Sequence, residues 1–336
     1  MQKESDSCFE WFTYDGRIFM IGKQVRKWSS ILSIALAIVL DLVIPDSALQ
    51  PQTEKAWFLL FLYILGGIFL LLCIISFFHK GLSKFLEKNG PLLAGGILVL
   101  NIVNIVCSKL ALLPVLFFPS LDRVFGVFIN DRALMAECIV SSGKLLLIGF
   151  GIGAVLGFTT GILIGFNKHI AYWVNPLTKV IGPIPATSWS PLVLSLFSTS
   201  YQAAVFMIAL AVWFPVTVMT SSGIQNVQQT YFEVADTLGA GRLYKVFRVG
   251  VPAAMPSIFL GLFYATTGSF VTLVTAEMLG CKSGIGWYLN WQKSMMLYAN
   301  VYAGLILLAV LCNLIIKLLF LLKDRLLIWQ KGVIKW

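Results

Sequence analysis

The chain has 336 residues, of which 58% are hydrophobic and only 12% are charged. This composition excludes an ordinary soluble globular protein and predicts a polytopic membrane protein. The formal net charge is +10, but the basic residues are scattered among short segments and do not cluster on one polar surface, so we expect no nucleic-acid partner.

Eight apolar runs predict an all-α bundle of about eight transmembrane helices, because each run is long enough to cross a bilayer with some tilt. Lysine and arginine concentrate before the first run, after the second, fourth and sixth runs, and after the eighth. The positive-inside rule therefore predicts that these segments, and both termini, are cytoplasmic. The runs lie at residues 29–44, 56–78, 92–108, 144–166, 180–197, 202–222, 253–276 and 301–322.

The cysteines, the histidines and the polar residues of the first and third runs give little indication of a binding site. The six cysteines show no C-x-x-C spacing, and each of the two histidines lies beside a lysine at the end of a run, so we expect no metal site. Asp41 is close to the outer end of the first run, and we expect it to reach the membrane interface. Asn101 and Asn104 are three residues apart, which favours hydrogen bonds across a helix interface.

A polar segment, residues 231–256, separates the sixth and seventh runs. Its first part predicts a helix through residues 233–238, and Gly239 and Gly241 then end that helix because glycine accepts left-handed backbone. Pro252 opens the next apolar run. Basic residues recur at every third position after the glycines, which puts them along one stripe if the segment is helical: Arg242, Lys245 and Arg248.

This spacing resembles the cytoplasmic coupling loop of binding-protein-dependent ABC importer permeases. The motif of that loop is Glu-Ala-Ala, three residues, Gly, nine residues, then hydrophobic-x-hydrophobic-Pro. Val234 stands here for the first alanine, which is a small apolar change. The resemblance implies that the loop contacts an ATP-binding subunit. The residues to which it assigns this ATPase-coupling role are Glu233, Val234, Ala235, Leu238, Gly239, Arg242 and Pro252.

Four further blocks resemble the nitrate, sulfonate, taurine and bicarbonate branch of the same family. They are LPVLFFPS at 113–120, PIPATSWSPL at 183–192, WFPV at 213–216 and AEMLGCKSGIG at 276–286. The resemblance implies the six-helix core of a type I ABC importer over residues 91–327. A two-helix extension, residues 1–90, would precede this core, and a cytoplasmic tail, residues 328–336, would follow it.

The chain carries no motif of an ATPase or of another enzyme. It has no G-x-x-x-x-G-K-[ST] phosphate-binding loop, no paired histidines and no intramembrane carboxylate dyad, so we expect neither a catalytic residue nor a bound cofactor. The resemblance implies that a separate subunit, present in two copies, uses ATP and Mg. It also implies a homodimer of permeases, an extracellular or periplasmic solute-binding protein, and the plasma (inner) membrane of a prokaryote.

Polar residues inside the apolar runs are candidates for the substrate path, because such residues face the bundle and not lipid. One group follows prolines in the fifth run, where backbone groups freed from helix bonding can face a cavity. Alternatively, the hydroxyls bond their own backbone and permit close packing, and Glu277 is a gate or a structural residue. The candidates are Ser188, Trp189, Ser190, Ser269, Thr272, Thr275 and Glu277.

Two classes of function follow. The resemblance implies an ATP-driven importer permease that moves a small, anionic solute by alternating access. The alternative is an ATP-independent channel or secondary carrier, to which the polar residues in the runs would belong directly. The spacing of the coupling loop discriminates between the two classes, because a carrier has no use for it.

Overall fold

The computed structural model describes residues 16–51 and 56–328. Every regular element in these two ranges is a helix. The chain forms two compact units: the first is Met1–Asn130 with Tyr298–Asn300, and the second is Asp131–Leu297 with Val301–Trp336. The boundary expected at residue 90 stays a prediction.

In the first unit, α1 packs along α3, and α2 packs against α1, α3 and α4. Their core consists of buried apolar residues from α1, α2 and α3, among them Ile34, Phe58 and Ile97. A π-helical turn, Ile105–Lys109, extends α3. The helices are α1 (Gly16–Val43), α2 (Trp57–Phe78), α3 (Lys80–Asn104) and α4 (Leu121–Asn130).

A buried ion pair joins α1 to the end of α3. Lys109 Nζ lies 3.0 Å from Asp41 Oδ1 and 2.9 Å from Asp46 Oδ1, and the side chains of Lys109 and Asp41 are only 5% and 8% exposed. A cation inside the unit thus pairs with Asp41, and the expectation that Asp41 reaches the membrane interface stays a prediction. Asn104 Nδ2 donates a 2.8 Å hydrogen bond to Asp41 Oδ1, so its predicted bond across a helix interface is confirmed.

The second unit is built around α5, α8 and α11, and α8 packs against both of the others. Short helical turns at Ala186–Trp189 (3-10) and Lys245–Gly250 (π) link longer elements. The helices are α5 (Arg132–Phe166), α6 (Lys168–Ile181), α7 (Ser190–Leu196), α8 (Ser200–Gln225), α9 (Gln229–Thr237), α10 (Arg242–Tyr244), α11 (Val251–Gly280), α12 (Ile285–Ser294) and α13 (Tyr298–Leu326).

Six helical segments in the described residues are long and apolar enough to cross a membrane: Trp57–Ser76, Gly81–Lys109, Arg132–Phe166, Ser200–Gln225, Arg242–Gly280 and Tyr298–Leu326. The predicted count of eight spans is thus not confirmed. The first predicted span falls in α1, which is helical but is not among the six. The fifth, residues 180–197, is not one helix: α6 ends at Ile181, and a 3-10 turn and the short α7 follow. Prolines explain the break, since they remove backbone donors from the helix.

The cytoplasmic placement of the termini stays a prediction, and the expected tail lies almost wholly outside the described residues.

Candidate functional site

The predicted coupling helix ends where the sequence indicates. Gly239 adopts φ +75°, the N–H of Gly239 donates to the carbonyl of Asp236 at 2.9 Å, and the N–H of Ala240 donates to the carbonyl of Ala235 at 2.9 Å. These two bonds, five-to-two and six-to-one, with left-handed glycine form the helix stop known as a Schellman motif. Gly241, by contrast, has an ordinary φ of −67°.

Beyond the glycines the chain is helical again without a break, from α10 through the π-helical turn into α11. The condition set for the basic stripe, a helical segment, is therefore met, with Arg242 in α10 and with Lys245 and Arg248 in the π-helical turn. Lys245 Nζ lies 2.6 Å from Asp236 Oδ1, so an ion pair ties the second arm of the loop back to α9. Pro252 is in the first turn of α11. The π-helical turn ends at Gly250, two residues before this proline, which lacks an N–H.

We call residues 229–250 the coupling segment. Among the predicted coupling residues in it, Glu233, Gly239 and Arg242 are exposed, whereas Ala235 is buried. Its surface also carries large apolar side chains that are more than half exposed: Tyr231, Val234, Leu238, Leu243, Tyr244 and Phe247. Exposed apolar side chains grouped in this way on a segment between membrane spans are typical of a protein-docking surface.

The three predicted path residues of α11 that carry a hydroxyl bond their own backbone. The hydroxyl of Ser269 donates to the carbonyl of Thr266 at 2.7 Å, that of Thr272 to Gly268 at 3.0 Å, and that of Thr275 to Val271 at 2.9 Å. This is the arrangement that the packing interpretation expects.

The fifth-run candidates lie around the broken helix. Ser188 is exposed, and Trp189 and Ser190 are half-buried. The indole Nε1 of Trp189 is buried and has no hydrogen-bond partner among the described residues. Prolines and the 3-10 turn thus place three polar side chains at a point where α6 and α7 do not form a continuous span.

A cavity of about 380 Å³ brings two of the predicted regions together. Thr272 of α11 lines it from one side, and Pro185, Ala186 and Thr187 line it from the broken fifth run. We call it the central cavity. The other five hydroxyl and indole candidates, and Glu277, are not among its lining residues: Ser188, Trp189, Ser190, Ser269 and Thr275.

Glu277 is only 1% exposed and both of its carboxylate oxygens accept hydrogen bonds. Oε1 accepts from the hydroxyl of Ser142 at 2.6 Å, and Oε2 accepts from the N–H of Gly286 at 2.7 Å. The Ser142 hydroxyl in turn accepts from the N–H of Ile285 at 2.8 Å. The pair therefore caps the first turn of α12, whose N–H groups have no partner within the helix.

Sequence reasoning missed Ser142 and the start of α12. The signal available in the sequence was two glycines soon after Glu277, Gly284 and Gly286. The structure shows why Gly284 has no side chain: its φ is +123°, and a Cβ at that position would collide with the Glu277 carboxylate. Among the described residues, no group of three histidine, cysteine or acidic side chains could hold a metal ion.

Comparison with known proteins supplies the family. The sequence profile of the family described as binding-protein-dependent transport system inner membrane component matches residues 153–328. The nitrate import permease protein NrtB of Leptolyngbya laminosa is 29% identical over 69% of this chain and 87% of that protein. The putative aliphatic sulfonates transport permease protein SsuC of Bacillus subtilis is 33% identical over 55% of this chain and 67% of that protein.

The bicarbonate transport system permease protein CmpB of Synechococcus elongatus is 32% identical over 66% of this chain and 75% of that protein. These relatives confirm the resemblance drawn from the coupling loop and the four further blocks. With six candidate spans in the described residues, they make the chain a multi-pass membrane protein. It belongs to the family of binding-protein-dependent transport system inner membrane components.

Proposed function

We propose that the chain is the transmembrane permease subunit of an ATP-driven importer, and that it forms the path of a small, anionic solute by alternating access. The observation that carries the proposal is the coupling segment, with its exposed apolar side chains and its left-handed break at Gly239. The names of the relatives support the solute class, since nitrate, aliphatic sulfonates and bicarbonate are all anions.

The coupling segment has the properties of a lever. Its two arms are α9 and the helical stretch from Arg242 to Gly250. The Schellman motif and the pair Lys245–Asp236 hold these arms together, so a displacement of α9 moves the whole segment. The second arm continues into α11 without a break, and α11 carries Thr272 to the central cavity. ATP-driven closure of a subunit docked on the segment would therefore shift a wall of this cavity, as alternating access requires.

The proposed partners follow because ATP hydrolysis is assigned to a separate subunit and the solute path to this chain. Two ATP-binding subunits would hydrolyse ATP with Mg, and this chain would bind no cofactor and catalyse no reaction. A second copy would complete the path as a homodimer in the plasma membrane of a prokaryote, and a solute-binding protein would deliver the solute from outside. The coupling segment argues against the alternative of a channel or a secondary carrier, because neither of these needs a surface on which an ATPase docks.

Two glycines of the coupling segment provide a matched test. A Cβ at Gly239 or at Gly241 would meet no atom within 4 Å, but only Gly239 has positive φ. Gly239→Ala should therefore cost about 1–2 kcal/mol in the left-handed conformation. The free segment can relieve this strain by changing its turn, and the ATPase then has to restore the turn on binding.

We expect the affinity of the ATP-binding subunit to fall roughly tenfold in Gly239→Ala and to stay unchanged in Gly241→Ala. Titration of the purified ATPase against the permease in nanodiscs measures both. Equal affinities of the two variants would argue against the docking role of the coupling segment.

A further inference from the structure

A second cavity, of about 450 Å³, has a wall of hydroxyl groups and one cation. It lies where α8 begins and where α11 ends, and no acidic residue lines it. We call it the outer cavity. The polar side chains that line it include Ser141, Ser198, Thr199, Ser200, Lys282 and Ser283.

The electrostatics of the outer cavity favour an anion. Lys282 is exposed and makes no ion pair within the part of the chain that the structure describes. Glu277, five residues earlier, is buried, does not line the cavity and forms no ion pair with Lys282. Burial and, second, the Glu277 carboxylate raise the pKa of the Cys281 thiol to about 11, so this lining residue adds no negative charge.

Hydrogen-bond donors complete the wall. Ser141 and Ser283 share one hydrogen bond between their hydroxyls, at 2.7 Å, which leaves the second proton of the pair free to point into the cavity. Ser200 is the first residue of α8, and the N–H groups of a helix start carry partial positive charge. Glu137 and Lys144, one turn to either side of Ser141 on α5, are exposed and do not line the cavity.

The course of α8 and α11 shows at which end of the membrane spans the outer cavity lies. α8 runs from Ser200 towards the coupling segment, and α11 runs from the coupling segment to Gly280, and both are long enough to span the membrane. The outer cavity is thus at the opposite end of these spans from the coupling segment. An ATPase docked on that segment leaves this cavity on the side from which solute is delivered.

We infer that the outer cavity is an anion-accepting site in which Lys282 and the surrounding hydroxyls receive a small oxoanion before it enters the membrane path. The inference rests on the proposed function and adds the group that selects the charge of the solute. A single cation surrounded by neutral donors attracts carboxylate, nitrate or sulfonate oxygens and gives no counter-charge to a cationic solute. Its volume also admits a short alkyl group beside the charged head.

The test uses the complete complex of this chain, its ATP-binding subunit and its solute-binding protein in vesicles. Initial rates of ATP-dependent uptake are measured for nitrate, bicarbonate and ethanesulfonate, with the binding protein saturated. The variants are Lys282→Gln, Lys282→Arg and the control Lys293→Gln, whose lysine is exposed on α12 and does not line the cavity.

We expect Lys282→Gln to lower the uptake of the transported anion about tenfold, Lys282→Arg to keep most of it, and Lys293→Gln to match the wild type. The abundance of the assembled complex should be equal in all variants. Wild-type rates in Lys282→Gln would overturn the outer anion site. Uptake by the wild type in the absence of ATP would instead contradict the proposed function, and Lys282→Gln would then still decide whether the site exists.

Discussion

Glu277 lies where α5, α11 and α12 meet, and each of its carboxylate oxygens is within hydrogen-bond distance of a donor. A fully buried carboxylate is tolerated at such a place because the donors, and the positive end of α12, compensate for lost hydration. Its contacts are those of a residue that holds three helices in register. Its place on the substrate path stays a prediction, which the following substitution tests.

Glu277→Ala should destabilise the protein markedly. It leaves the buried hydroxyl of Ser142 and the N–H of Gly286 without an acceptor, at about 1–3 kcal/mol for each group. Glu277→Gln keeps one acceptor and should lose less, and Glu233→Ala, at an exposed position, should lose nothing measurable. Thermal unfolding in detergent measures these changes. A Glu277→Ala variant that unfolds at the wild-type temperature but no longer transports would place Glu277 on the path instead.

The pairing of Glu277 was beyond prediction because Ser142 is 135 residues away in sequence. The break at Gly239, in contrast, depends on six neighbouring residues, so the spacing of the sequence was enough to predict its left-handed backbone. The hydroxyl candidates on α11 fall between these cases. Their type and interval were visible in the sequence, but only the structure shows that Ser269 and Thr275 do not line the central cavity.

At the scale of elements, the contact between α5 and α8 depends on glycine. α5 carries glycine at every fourth position, and at each of them a Cβ would lie 2.9 Å or less from an atom of α8. Absent side chains let the two backbones approach closely, which is how membrane helices gain packing energy. The glycines are Gly149, Gly153, Gly157, Gly161 and Gly165.

Gly153→Ala should weaken the contact between α5 and α8. The added Cβ would lie 2.5 Å from the carbonyl oxygen of Ala209 and 2.8 Å from Cβ of Val212, and overpacking of this kind typically costs about 1–3 kcal/mol. Gly151→Ala is the matched control on the same helix, because a Cβ there meets no atom within 4 Å. Thermal unfolding compares the two, and equal melting temperatures would contradict the packing account.

Element boundaries show where sequence patterns suffice. The apolar runs predicted α2, α5, α8, α11 and α13 because each has a long hydrophobic stretch. The same reasoning failed at residues 180–197, where the apolar run continues through Pro183 and Pro185 although the helix is broken there. The apolar runs also did not predict the short helices α4 and α12, which lie between runs. Tertiary contacts position them: α4 packs against α2, and α12 packs against α11 and α5.

At the scale of the whole molecule, the first compact unit is held together in part by a cluster of opposite charges. Lys109 is buried between Asp41 and Asp46, and its ammonium also donates to the carbonyl oxygen of Asp41 at 2.9 Å. Removal of one partner from a buried pair leaves an uncompensated charge, which is costly. The ion pair joins the predicted two-helix extension to α3, so the expected boundary at residue 90 would cut through this cluster.

Lys109→Met should therefore destabilise the protein by about 3–5 kcal/mol, because the carboxylate of Asp41 stays buried without its cation. Lys88→Met changes an exposed lysine of α3, the helix that the π-helical turn of Lys109 extends, and should change stability by less than about 0.5 kcal/mol. Chemical unfolding in detergent micelles separates the two variants. If Lys109→Met were as stable as Lys88→Met, the cluster would have no role in holding α1 against α3.

The central claim, that this chain couples ATP hydrolysis to solute movement, is tested most directly by uptake in sealed vesicles. The vesicles contain the permease, its ATP-binding subunit and its solute-binding protein, and the assay compares ATP with a non-hydrolysable analogue. We predict accumulation against a gradient with ATP, none with the analogue, and none with ATP in Gly239→Asp at normal membrane abundance. Equal solute movement with and without hydrolysable ATP, or normal uptake in Gly239→Asp, would contradict the account and favour a channel or a carrier.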